Sequence, residues 1–245
     1  MKKLLFGLAC LFAFNQQSSD VNAGALRQGE FSIIPYGGMA PSTFVHRKKS
    51  SFIVDGKYYC EKAPNFNDIL KFPFIFGGSI GYNVTNQFEF FANVDYTIAG
   101  TGKKNVARSI RPDTNSLMKY QTGTFGALGT YLGGRYYYDC GGTWYPFVGA
   151  KLGVVSRKSV NTKVFIDNIR FAKDKFFDSN TAFAGGLQLG LDAELAEYID
   201  FIFMAEAIGS GRLKPSKIRT HFPFFNRVGG MFTFPVTAGI RFRMY

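Results

Sequence analysis

Eight stretches of this chain alternate apolar with small or polar residues at a period of two, and the links joining them are alternately short and long. The clearest lies near 88–99, where Phe88, Phe90, Ala92, Val94, Tyr96 and Ile98 share one phase and Glu89, Phe91, Asn93, Asp95 and Thr97 the other. A strand needs that pattern to cross a bilayer at a tilt, with lipid on one side and a polar interior on the other. About 10 residues suffice for the crossing.

The other seven stretches fall near 29–38, 72–83, 125–138, 144–155, 181–194, 199–209 and 231–245. Links around 84–87, 139–143 and 195–198 are tight, whereas those near 39–71, 100–124, 156–180 and 210–230 are long. A soluble sandwich has no reason to sort its connections by length onto two ends. The expected fold is therefore all-β: an eight-stranded antiparallel up-and-down transmembrane β-barrel with three short periplasmic turns and four long external loops. Both termini then lie on the periplasmic side. Composition agrees, because 28 Phe, 13 Tyr and 28 Gly in 245 residues suit greasy strands packed closely around a narrow interior. No apolar run after residue 14 reaches the length of a spanning helix, which excludes a polytopic helical protein.

The first residues read as an export signal. Met1, Lys2 and Lys3 form a positive start, Leu4 to Phe14 an apolar stretch, and Val21, Asn22 and Ala23 a small-residue cleavage site. The expected division is a signal peptide over 1–23 and a barrel domain over 24–245, exported to the bacterial outer membrane. Of the two cysteines in the mature part, Cys60 falls in the first external loop and Cys140 in a periplasmic turn, about 25 Å apart across the apolar band. That separation forbids a disulfide between them.

Phase assigns the charged residues. Glu89, Asp95, Asp192, Glu194 and Glu206 are expected inside the barrel with Arg135, Lys151, Arg241 and Arg243, nearly balanced in charge. Eight strands leave an interior that side chains just fill, so these groups should pair as a plug. A general-diffusion porin is not expected on this geometry; a small channel gated by exchange of ion-pair partners is the alternative. Residues 39–71, 100–124, 156–180 and 210–226 of the long links instead carry 21 basic against seven acidic residues. Lys48, Lys49, Lys103, Lys104, Arg157, Lys158, Arg212, Lys214, Lys217 and Arg219 would face lipopolysaccharide, or a sulfated host glycan or receptor, across the outer rim. Tyr58, Tyr59, Phe222, Phe224 and Phe225 would be contact anchors there or part of an aromatic girdle. Nucleic acid is not expected as a partner, since no folded reading module is present.

Catalytic patterns are sparse. His46 and His221 both fall in loops, and Ser42 and Thr43 before His46 make only a weak nucleophile and base constellation. A lipid deacylase or acyltransferase is thus a second alternative to the expectation of a non-enzyme. No spacing suits a metal, and Gly77-Gly78 and Gly185-Gly186 lie within strands, where phosphate loops do not occur. No cofactor is expected.

Leu132-Gly133-Gly134-Arg135-Tyr136-Tyr137, followed by the segment from Tyr145 to Gly153, resembles the matching hairpin of OmpA-like and opacity-type outer-membrane barrels. The segment from Phe76 to Tyr82 and the closing Gly239-Ile240-Arg241-Phe242 are similar to P44/Msp2-type surface antigens of obligate intracellular bacteria. The resemblance implies an eight-stranded, surface-displayed adhesin or antigen. One departure stands out: such barrels end on a lipid-facing aromatic residue, whereas Tyr245 shares the phase of Arg241 and Arg243.

Overall fold

The computed structural model describes residues 26–44, 50–54, 57–61, 70–101, 103–109, 117–166, 169–214 and 229–244. The segment 1–23 and its cleavage site therefore lie outside the described residues, as does Tyr245. Every regular element among the described residues is a strand. In chain order they are β1 (Phe31–Met39), β2 (Ser42–Phe44), β3 (Ser50–Val54), β4 (Lys57–Glu61), β5 (Phe74–Asn83), β6 (Phe88–Ala99), β7 (Lys103–Ser109) and β8 (Leu117–Thr122). Then follow β9 (Phe125–Tyr137), β10 (Trp144–Arg157), β11 (Val160–Ile166), β12 (Ile169–Phe177), β13 (Asn180–Ala196), β14 (Ile199–Ser210), β15 (Met231–Thr233) and β16 (Val236–Met244).

Eight of them close a ring. β1, β5, β6, β9, β10, β13, β14 and β16 pair in that order, every pair antiparallel, and β16 returns to β1. Following aligned residues around the wall leads from Ile33 to Ile80, Ala92, Leu132, Leu152, Gly185, Gly209, Phe232 and finally Thr43. One circuit thus advances ten residues, from 33 to 43. Ten residues of stagger at about 3.3 Å each, over eight strands spaced about 4.8 Å, give a strand tilt of about 40° and a backbone radius of about 8 Å. Side chains fill a cylinder that narrow.

At the external side the first strand resumes past its expected end at 38, and the last expected strand is interrupted. β2 continues β1 beyond Ala40-Pro41, and β15 precedes β16 across Phe234-Pro235; proline lacks the N–H that a ladder needs. At the other end, the first strand begins at Phe31, because Gly29 takes a positive φ of 86° and turns the chain under the barrel.

The two faces of the wall differ completely. Outward positions carry Phe, Leu, Ile, Val, Tyr, Met, Trp, Ala, Gly, Pro, Ser and Thr, and no Asp, Glu, Lys or Arg lies in the outward phase of the eight ring strands. Phe183, Leu152, Leu132, Leu187 and Leu189 are strongly exposed, which only lipid makes favourable. Aromatic rings gather at both ends of this band. Phe31 meets Tyr82 in a tilted pair and Tyr136 meets Tyr138 edge-on, with Trp144 exposed at the same end, while Phe76 meets Tyr96 and Phe232 meets Phe234 at the opposite end.

The long links depart from the sequence expectation, which gave them no strands. Three of them fold back as hairpins, and β12, β11, β8, β7, β4 and β3 join into one six-stranded sheet above the barrel. Val160 starts β11 three residues after Arg157 ends β10, so the crown grows directly from the wall. Inside, one apolar cluster around Tyr137, Phe147, Ile202 and Met204 packs near the periplasmic end. A second, around Phe125, Tyr131, Val155, Ile208 and Met231, packs near the external end.

Candidate functional site

Charged groups occupy the interior in layers. At the periplasmic mouth Arg243 bridges Asp200 at 3.0 Å and Glu194 at 3.2 Å, and donates to the Ala196 carbonyl at 3.3 Å. Farther in lies Glu89, fully buried on β6. Its carboxylate accepts from Ser32 Oγ at 2.7 Å, Arg135 Nη1 at 3.0 Å, Tyr137 Oη at 3.0 Å and Arg241 Nη2 at 3.3 Å. Arg241 also reaches Asp192 at 3.1 Å and donates to the Tyr137 hydroxyl. Aromatic faces complete the shell, with the Arg135 guanidinium 4.1 Å from the Phe91 ring centroid and that of Arg241 4.9 Å from Tyr137.

The next layer centres on Lys151. Its Nζ lies 2.8 Å from Glu206 Oε2, 3.4 Å from Asn93 Oδ1, 3.8 Å from Asp95 Oδ2 and 4.4 Å from the Tyr131 ring centroid. Gln188 links the two layers: its Oε1 accepts from Arg135 Nε and its Nε2 donates to Glu206. Asn93 in turn donates to the Tyr36 hydroxyl and to the Gly78 carbonyl. Beyond this layer lies a small cavity of about 30 Å³, lined by Asp95, Thr97, Tyr131, Ser210 and Thr233 among apolar neighbours. It has room for about one water molecule.

These layers need close approach of the wall. A Cβ at Gly81 would run into the Glu89 carboxylate and come within 2.6 Å of Ser32 Oγ, so glycine at that position makes space for the anion at the centre of the network.

All nine residues expected inside the barrel occupy the inward phase: Glu89, Asp95, Arg135, Lys151, Asp192, Glu194, Glu206, Arg241 and Arg243. Three further charged groups are buried with them. Glu30, just before β1, accepts from Asn83 Nδ2 at 3.5 Å. Asp200 has the phase of Glu206 on β14, which sequence alone carries, and pairs with Arg243. Arg157 corrects its expected place on the rim. It keeps the inward phase of Lys151 and Val155 because β10 runs on through Ser156, and it is 3% exposed.

The remaining rim cations separate into groups. Lys158, Arg212 and Lys214 are exposed at the external end, and Lys158 Nζ sits 5.6 Å from the centroid of the Tyr96 ring. Lys103 and Lys104 begin β7 in the crown, and Tyr58 and Tyr59 lie on β4. Lys48, Lys49, Lys217, Arg219, Phe222, Phe224, Phe225, His46 and His221 lie outside the described residues. Ser42 is buried, its hydroxyl donating to the Ala40 carbonyl at 3.0 Å and lying 3.2 Å from Thr233 Oγ1, so it is committed to the wall. Cys140 is a free, exposed thiol in the turn after β9, and Cys60 lies on β4 at the opposite end of the molecule. Among the described residues no group of His, Cys, Asp and Glu could hold a metal ion, and no helix is long and apolar enough to cross a membrane.

No protein-family model and no curated protein matches the chain. Solved outer-membrane barrels do resemble it in shape. Neisserial surface protein A is 16% identical over 88% of this chain and 99% of its own, with a TM-score of 0.45. Ail, the attachment invasion locus protein of Yersinia pestis, is 15% identical over 88% and 99%, with a TM-score of 0.42. The outer membrane protein OprG from Pseudomonas aeruginosa is 15% identical over 91% and 100%, with a TM-score of 0.40. At this level of identity the likeness concerns architecture alone.

Proposed function

We propose that this chain is a surface protein of the bacterial outer membrane, structural or adhesive in role, whose cationic external rim contacts lipopolysaccharide or anionic host glycans. The observation that carries the reading is the filled interior. Glu89, Arg135, Lys151 and Arg241 are each no more than 2% exposed, and ion pairs and aromatic rings occupy the space between them. A barrel that admits no solute has its interaction chemistry at its ends. The periplasmic turns are short and carry only Asp139 and Glu197 as charged residues. The external links hold the excess of Lys and Arg, presented above a lipid-facing band. An antigen role close to the P44/Msp2 type rests on the short Gly and aromatic segments noted in the sequence.

The test is binding of the refolded protein to a heparin-like polymer at increasing salt. Neutralising Arg212, Lys214, Lys217 and Arg219 together should weaken binding by about tenfold or more and flatten its salt dependence. Binding indifferent to those changes removes the adhesive reading. In planar bilayers the protein should give no stable open steps. Steps abolished by Glu206→Gln or Lys151→Met would favour the gated channel instead.

A further inference from the structure

One buried cation lacks what the others have. Arg135, Lys151, Arg241 and Arg243 each meet a carboxylate within 3.8 Å. Arg157, at the external mouth, meets none among the described residues. Its guanidinium has only neutral acceptors, the Gly211 carbonyl at 3.3 Å and the Ser210 hydroxyl, and its Nε has no acceptor. Removing one guanidinium from water without a counter-charge is among the costliest things a fold can do, and a fold normally answers it with an anion.

The surroundings favour an anion supplied from outside. Residues 211–214 cross the mouth, tied down by Gly211 N–H to the Phe183 carbonyl, Asn180 Nδ2 to the Arg212 carbonyl and Asp178 N–H to the Lys214 carbonyl. Leu213 is buried in the external apolar cluster beneath them. The side chains of Arg212 and Lys214 on this same segment are exposed, as is Lys158 next to Arg157. Three exposed cations thus lie on the two segments that flank a fourth, which is buried and unpaired.

We propose that Arg157 anchors one oxyanion, a sulfate or phosphate ester, that enters the external mouth at Gly211-Arg212. The charged oxygens replace the Gly211 carbonyl and the Ser210 hydroxyl as acceptors, and Arg212 supplies the second cation. A guanidinium bonded to an oxyanion through two parallel N–H groups is held about twice as strongly as by neutral acceptors, so the exchange is favourable. This assignment rests on the reading of the rim as an anion-binding surface and names its deepest contact.

The experiment uses the full barrel in detergent with two probes, a sulfated heparin disaccharide and purified lipopolysaccharide, the second carrying phosphate in place of sulfate. Heat-modifiable gel migration verifies folding of every variant. Arg157→Gln should lower affinity for at least one probe about tenfold, with partial recovery in Arg157→Lys. Ser210→Ala, which removes a competing acceptor, should raise affinity for the same probe. The proposal is overturned if Arg157→Gln and Ser210→Ala leave both affinities unchanged while Arg212→Gln and Lys214→Gln reduce them; the rim would then bind without its anchor, and the proposed function would stand. Wild-type protein that binds neither probe removes both. Should Arg157→Gln fail to fold, Ser210→Ala decides: a rise supports the anchor, and no change or a fall rejects it.

Discussion

Four donors converge on the Glu89 carboxylate, from β1, β9 and β16, and two of them are arginines with no exposure to speak of. Each arginine has a second attachment, Arg135 to Gln188 and Arg241 to Asp192, so the network ties five of the eight wall strands together with β13 included. Removing one partner strands the rest. Glu89→Ala should cost about 3–5 kcal/mol, read as a lowered urea midpoint in lipid vesicles, because two guanidinium groups lose their shared acceptor. The double variant Glu89→Ala with Arg135→Ala should lose clearly less than the two single losses added, since it abolishes the unpaired charge along with the pair. Additive losses would show that Glu89 and Arg135 act independently. Parity in the sequence already put Glu89, Arg135 and Arg241 on the inside. Which carboxylate meets which guanidinium depends on the stagger between strands that are far apart in the chain, and sequence phase does not contain it.

At the level of a strand, the argument turns on which phase meets lipid. β10 shows it within one element: Val148, Ala150, Leu152 and Val154 face out, and Lys151, Val155 and Arg157 face in. Leu152 is 74% exposed near the middle of the band, so Leu152→Arg should destabilise the protein by about 2–4 kcal/mol and reduce the folded fraction on a heat-modifiable gel. The same substitution at Ser156, near the external end of the strand, should cost about 1 kcal/mol or less, since the guanidinium reaches headgroups there. Equal costs at both sites would contradict the assigned depth. The alternation made ring strands legible wherever eight or more residues kept one phase. It failed in the long links, where β7, β8, β11 and β12 carry Lys and Arg at irregular intervals and pair chiefly with one another, so neither face is continuously apolar. It also misplaced Arg157, because a cation beside Lys158 reads as loop unless the phase of Lys151 is counted forward.

Taken as a whole, the molecule has a chemical polarity from end to end: short, sparsely charged turns on one side, a greasy belt, and a basic crown on the other. Cys140 marks the first side. In intact cells a membrane-impermeant maleimide should leave Cys140 unlabelled, and label it once the outer membrane is permeabilised; labelling of intact cells that disappears in Cys140→Ser would invert the orientation. From the sequence alone come the number of ring strands, the alternation of short and long links, the apolar exterior and the inward placement of nearly all charge borne by those ring strands. Each is a local property, set by whether neighbouring residues face lipid or the interior. Tertiary structure decided the rest: the ten-residue stagger, the meeting of Glu89 with both Arg135 and Arg241, the crown of hairpins, and the seat of Arg157 beneath residues 211–214. Those depend on how distant strands line up when the ring closes, because one register step moves every side chain past its partner.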